Sequence, residues 1–211
     1  MENQVFKLNN IKVKEILNLD ELMIHREAIT CILGASGSGK TTLLRLLNKI
    51  ISPDSGSIMY EDQDLSSLNS ITHRQEVILL SQTPIMLAES IEDNLTIGCK
   101  YSKKELPTKE ELQSMMNKLQ LKKLLSDVTH NCSLGEKQRI ALGRVLFMNP
   151  KVYLMDEPSA SLDAHSESII MNLIVNHTKK NKQTLIMVTH NQQVANQYAD
   201  YVVHVEAGIV L

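Results

Sequence analysis

The chain has 211 residues, with 22 Lys and Arg against 24 Asp and Glu, so its formal net charge at pH 7 is −2. That length buries a sizeable core in one large domain or two intimately joined subdomains, and the near-balanced charge gives no basic footprint for nucleic acid. No apolar stretch approaches the length a membrane helix requires, and the opening Met1-Glu-Asn-Gln lacks a signal-peptide pattern.

Cys31, Cys99 and Cys132 have no C-x-x-C spacing, which fits reduced cytosolic thiols rather than a disulfide framework or a zinc site. Aromatic residues make up 3% of the chain while Met occurs ten times, and the methionines read as fillers of core gaps.

In chain order, residues 4–8, 12–16 and 21–24 predict short β segments, carried by β-branched residues between Asn and Asp turns. Residues 29–33 form an unbroken apolar run, the pattern of a buried parallel strand. It runs into Gly34-Ala35-Ser36-Gly37-Ser38-Gly39-Lys40-Thr41, which fits the phosphate-loop pattern G-x-x-x-x-G-K-[ST] and precedes a helical stretch from Thr41 to Ile50. A Gly/Ser turn between strand and helix is the plainer reading, and Lys-Thr with these flanks argues against it. Glycines at 34, 37 and 39 permit positive φ, so backbone N–H groups converge on one concavity at the positive end of a helix. Lys40 would reach the β- and γ-phosphates, Thr41 would ligate Mg²⁺, and Thr42 completes the phosphate contacts.

Ser52-Pro-Asp-Ser-Gly56 is turn chemistry; 58–60 and 77–80 predict further strands, the second buried. From about residue 91 to 149 the character is helical. Leu106-Pro-Thr-Lys-Glu-Glu111 reads as a helix start, and Leu112, Met115, Met116 and Leu119 form an amphipathic stripe, read as core rather than a partner groove. Strands resume at 152–155 and 184–188 with helix between them, and 201–211 reads as a hairpin around Ala207-Gly208. The pattern is α/β: a parallel core, about 1–90 and 150–211, interrupted by a helical insertion at about 91–149.

Val152-Tyr-Leu-Met-Asp-Glu-Pro158 is an apolar strand ending in two carboxylates. The strand carries Asp156 to its C-terminal edge, where α/β ligands bind. There it can hold Mg²⁺, while Glu157 can orient or deprotonate water, a role worth roughly 10²–10⁴ in rate. An acidic pair at a strand end is often only a turn; the phosphate loop upstream favours the functional reading.

Asn131-Cys-Ser-Leu-Gly-Glu-Lys-Gln-Arg139 lies shortly before that strand and leads into a helix. With it the chain resembles the nucleotide-binding domain of ATP-binding cassette (ABC) proteins, over almost its whole length. The family signature, L-S-G-G-Q, aligns with Cys132-Ser-Leu-Gly-Glu136: Ser133 and Gly135 match, and Leu134 stands where a glycine usually lets backbone approach phosphate. Gln82 matches the Q-loop, which senses Mg²⁺ and water and contacts the membrane subunit. Ser159-Ala-Ser-Leu-Asp163 resembles the D-loop at the dimer interface, with Asp163 closing it, and His190 matches the switch histidine. The family stacks adenine on an aromatic; residues 11–15 contain none, which leaves Val13 or Lys14 to substitute, with Phe6 earlier in the chain.

The resemblance implies a P-loop NTPase (RecA-like) core with an N-terminal antiparallel β subdomain and an inserted helical subdomain, all one domain over 1–211 with no extension beyond it. It implies an ATPase that uses ATP and Mg²⁺ and pairs head to tail with a second ABC domain, in a homodimer. Each ATP would lie between Lys40, Thr41, Asp156, Glu157 and His190 of one protomer and Ser133 with Gly135 of the other. A separate integral membrane permease would place the chain in the cytoplasm, on the inner face of the membrane. Residues 51–56, 74–95 and 135–163 also resemble small ATP-binding subunits associated with metal (iron) export. The alternative is a non-transport cassette, such as an iron–sulfur-assembly scaffold, and a third is a catalytically idle regulatory cassette.

Overall fold

The structure, a computed structural model, describes residues 3–160 and 162–210. The chain order is β1 (Gln4–Val13), β2 (Leu17–His25), β3 (Ile29–Leu33), α1 (Lys40–Leu47), β4 (Ser55–Tyr60), β5 (Gln63–Asp64), α2 (Ser70–Glu76), β6 (Val77–Leu80) and α3 (Ile91–Tyr101). It continues with α4 (Lys109–Lys118), α5 (Leu134–Met148), β7 (Val152–Asp156), α6 (Ala164–Lys180), β8 (Thr184–Val188), α7 (Gln192–Tyr198), β9 (Tyr201–Glu206) and β10 (Ile209–Val210). Contacts divide it into two compact units, the first ending at Leu79 and resuming for Pro150–Glu157 and from Thr178 onward, the second made of Leu80–Asn149 and Pro158–His177.

The first unit is built on strands. One sheet runs β2-β1-β4-β5, with each neighbouring pair antiparallel; the other runs β10-β9-β3-β8-β7-β6. Strand β3 pairs in parallel with β8 and β9, and β7 with β8. Every residue of β3, β7 and β8 is buried, which explains why these segments read as continuous apolar runs rather than alternating ones.

Two sequence expectations need correction here. Residues 4–8 and 12–16 do not make two strands. The first strand runs unbroken to Val13 with a register shift between Asn9 and Lys12, and 14–16 are a turn. Lys14 is left-handed at φ 46°, its N–H donates to Asp54 Oδ2 at 2.5 Å, and Ile16 N–H donates to Val13 O at 2.9 Å. The helix expected to reach Ile50 stops at Leu47: Lys49 takes φ 56° and its amine is bound by the carbonyls of Ser66 and Leu68.

The second unit is helical, and its helices are capped by the residues that mark their starts. Thr108 accepts from Glu111 N–H while Glu111 accepts from Thr108 N–H, a reciprocal capping box at α4. Leu112, Met115, Met116 and Leu119 are buried, so the stripe is core. Fully buried Asn94 on α3 binds Leu87 N–H, Ala88 N–H and the carbonyls of Ala88 and Ser90, fixing the loop before it. Among the described residues no helix is long and apolar enough to cross a membrane.

Candidate nucleotide site

The phosphate loop leaves the C-terminal end of β3 and enters α1. Its glycines take φ of 155°, 81° and 101° at Gly34, Gly37 and Gly39, and a Cβ on Gly34 would lie 2.0 Å from Val205 O. Only glycine fits that approach. Ala35, Ser36 and Gly37 are exposed, Ser38 and Gly39 are buried, and Thr41 and Thr42 are half-buried. No side chain caps α1 at Gly39, and its first turn holds no acidic residue. The opening N–H groups of a helix have no intrahelical acceptor, and together with the dipole they favour an anion.

Lys40 is buried, and its ammonium donates to Gly34 O at 2.7 Å and Ala35 O at 2.6 Å. The loop's own carbonyls therefore hold the charge close to the concavity. Thr41 Oγ1 donates to Asp156 Oδ2 at 2.8 Å, although the two are 115 residues apart in sequence. Parallel pairing of β3, β8 and β7 brings these chain segments to one edge of the sheet. An adjacent hydroxyl and carboxylate are hard oxygen donors of the kind Mg²⁺ takes, so the residues present fit that ion.

Glu157 follows directly at the end of β7. It is left-handed at φ 51°, and its N–H donates to Val188 O at 3.0 Å. Such a conformation in a non-glycine residue costs on the order of 1–3 kcal/mol and persists where surrounding bonds enforce it. Both carboxylate oxygens lie 3.0 Å from His190 Nδ1. An ionised carboxylate only accepts, so Nδ1 carries the proton in this contact. The Glu157 side chain is 12% exposed and that of His190 is 70%, so the pair joins a sheltered carboxylate to a reachable imidazole. Lys40, Thr41, Asp156, Glu157 and His190 are thus brought together in one unit. The strain at Glu157 had no sequence signal, since nothing in the residue type announces positive φ.

The residues considered for the base also fall in this unit. Val13 is 7% exposed and Phe6 is 1%, with the Phe6 ring 5.0 Å from that of Tyr60, so both are core and neither can present a face to a ligand. Lys14 is exposed. The apolar side chain left open at that turn is Ile16, 43% exposed, whose carbonyl would lie 2.9 Å from a Cβ on Gly39. Sequence reading missed it because 12–16 looked like strand.

In the second unit, Gln82 is exposed in the loop after β6. Ser133 is the N-cap of α5: its Oγ accepts from Glu136 N–H at 3.3 Å, and Glu136 Oε2 accepts from Ser133 N–H at 2.8 Å. That backbone bond holds the Glu136 carboxyl below its ordinary pKa. Gly135 is half-buried in the first turn of α5, and Leu134 is helical and 60% exposed. Leu134 has no left-handed φ, so replacing the family's glycine costs no backbone strain. Burial raises the pKa of the Cys132 thiol. Asp163 accepts from the N–H groups of His165 and Ser166, both at 3.1 Å, starting α6, and Ser159 Oγ donates to Glu167 at 2.7 Å. Ser161 of the same stretch lies outside the described residues.

A glycine loop over an uncapped helix at the edge of a parallel sheet, with Lys40, Thr41 and Asp156 at its mouth, defines a P-loop nucleotide-binding domain. Residues 17–160 match the family described as ABC transporter, and the chain belongs to that family. It is 35% identical over 199 residues to protein STAR1 of Oryza sativa subsp. japonica, covering 94% of this chain and 57% of that protein. It is 31% identical over 199 residues to the tungstate uptake system ATP-binding protein TupC of Peptoclostridium acidaminophilum, covering 92% of this chain and 89% of that one. Among solved structures, cbiO1 from Clostridium perfringens, described as part of the ABC transporter complex cbiONQ, superposes with a TM-score of 0.83 at 28% identity. That match covers 100% of this chain and 88% of the other. The chain therefore spans little more than half of the rice protein but most of two bacterial relatives.

Proposed function

We propose that this chain is the ATP-hydrolysing subunit of an ABC transporter, acting on a separate integral membrane permease from the cytoplasmic face of the membrane. The observation that carries the reading is the contact of Thr41 with Asp156 beside the uncapped start of α1, with Glu157 and His190 paired next to it. The loop 34–39 and Thr42 take the phosphates, and Lys40 moves from its carbonyls onto the β- and γ-phosphoryl oxygens. Thr41 and Asp156 would hold Mg²⁺, with Gln82 assigned to the same ion by the family resemblance alone, and the ion when bound would offset phosphate charge. Glu157 orients the attacking water and takes its proton, and His190 fixes the carboxylate and reaches the terminal phosphate. Ile16 offers an apolar face to the base.

Ser133 and Gly135 serve the nucleotide of a second copy, and Asp163 lies at the interface between the two. Two copies then close head to tail over two ATP, and hydrolysis by Glu157 releases them. Relatives with names that include uptake and transport support a permease partner over a scaffold role. Glu157→Gln tests this directly. Turnover should fall by roughly 10²–10⁴, and light scattering at saturating Mg-ATP should show a dimer that the nucleotide-free protein lacks. A variant that stays monomeric under those conditions refutes mutual capture.

A further inference from the structure

The C-terminal hairpin carries a turn that touches the phosphate loop, and no family motif lies there. Gly208, between β9 and β10, donates its N–H to Ser38 O at 3.1 Å and accepts from Asn18 N–H at 2.8 Å through its own carbonyl. One residue thereby bonds the phosphate loop and the first residues of β2. The approach is close: Gly208 has φ 82°, and a Cβ there would lie 2.4 Å from Ile16 O and 3.0 Å from Ile16 C. Both atoms are backbone and cannot swing aside as a side chain could. The neighbouring Val205 O is the atom that excludes a Cβ from Gly34, so the hairpin presses on the loop at both of its ends.

We infer that Gly208 is a positioning residue for phosphate binding, acting through the Ser38–Gly39 peptide; the inference rests on the nucleotide reading above. In a trans peptide the C=O and the following N–H point in opposite directions across one rigid plane. Holding Ser38 O toward the hairpin therefore turns Gly39 N–H away from it, toward the open side of the loop. Among the described residues that N–H makes no backbone hydrogen bond. Free rotation of this plane would scatter the donor, and a donor fixed before binding loses less entropy when the phosphate arrives. The same turn seats Ile16, so the base side and the phosphate side of the site share one brace.

The test uses Mg-tripolyphosphate, which has phosphates and no base, alongside Mg-ATP, with wild-type protein and Gly208→Ala. Dissociation constants are read by calorimetry well below both unfolding temperatures. Gly208→Ala should weaken Mg-tripolyphosphate at least tenfold and Mg-ATP by at least the same factor, since the added Cβ also meets Ile16; affinities within twofold of wild type overturn the inference. Amide exchange at Gly208 in the wild-type protein supplies a second readout, independent of whether the variant folds. Binding and clamp are linked reciprocally, so saturating tripolyphosphate should slow that exchange at least tenfold. Slowing no greater than that at core amides such as Ile186, which follow the ligand's stabilisation of the whole fold, overturns the inference. Wild-type protein that binds neither ligand overturns the nucleotide reading itself.

Discussion

Helix α1 begins at Gly39 with no side chain over its first turn, whereas α5 begins at Ser133 with a reciprocal pair of side-chain bonds. Both helix starts are assigned to nucleotide, and the contrast in how each satisfies its first N–H groups separates their tasks. At α1 the donors are left for a ligand, and the local cation, Lys40, is held on the loop's own carbonyls. At α5 Ser133 Oγ accepts from Glu136 N–H, so the end is stable without a ligand. A serine hydroxyl that accepts in the cap still has its proton to donate, so Ser133 can serve a phosphate oxygen without breaking its cap. On the proposed function, the first site would capture nucleotide tightly within one chain, and the second would make a weaker contact on assembly.

The largest effect should come from the α1 side. Lys40→Ala removes the charged donor to the phosphates, and hydrogen bonds to charged groups are worth about 1.5–3 kcal/mol each. Two such bonds predict a loss of about 3 kcal/mol or more, over a hundredfold in the dissociation constant for Mg-ATP by calorimetry. Unchanged affinity would collapse the contrast, because α1 would then be no more a ligand site than α5. On the α5 side, Ser133→Ala should leave ATP binding by the isolated protomer unaltered. It should lower unfolding stability by about 1 kcal/mol, the usual cost of losing an N-cap. A monomer affinity that falls with Ser133→Ala would contradict the division of labour.

A smaller effect is readable against pH. The Ser133 N–H lowers the Glu136 pKa in the folded protein. A carboxyl with a depressed folded value adds stability above its unfolded pKa, and that stability is lost as pH falls through the folded one. Acid should therefore weaken α5 below about pH 4.5, near the unfolded glutamate value. Glu136→Gln should flatten that limb in a urea titration while leaving neutral-pH stability nearly intact. The Glu136 side chain lies at the surface and is 21% exposed, so water screens the interaction and the effect is expected to be small.

How much of this was legible in the sequence depended on what carried each feature. The phosphate loop, the acidic strand end and His190 were readable because residue type and spacing specify the chemistry. The buried strands β3, β7 and β8 were readable because parallel sheets demand unbroken apolar runs. The residues at 12–16 misled because β-branched Val13 and Ile16 flank a turn whose cause, Asp54 accepting from Lys14 N–H, lies 40 residues away. The left-handed Glu157 and the contact of Gly208 with Ser38 were invisible for the same reason: both are fixed by backbone partners remote in sequence. Val13 and Phe6 failed as base platforms because burial is set by sheet packing, not by residue type.

Leu134 gives the finest test of the contrast. From sequence the concern was that a side chain stands where a glycine usually lets backbone approach phosphate. The structure adds that Leu134 is an ordinary helical residue, so no backbone strain accompanies it. What remains is bulk: a 60%-exposed side chain at the start of α5, where a second copy's phosphates would approach. Leu134→Gly should cost the helix less than about 1 kcal/mol, and in a Glu157→Gln background it should tighten ATP-dependent dimerisation severalfold by sedimentation. ATP affinity of the monomer should not move. Weaker dimerisation with Leu134→Gly would mean that the leucine makes a contact across the interface, and that the α5 start recognises a protein surface rather than phosphate alone.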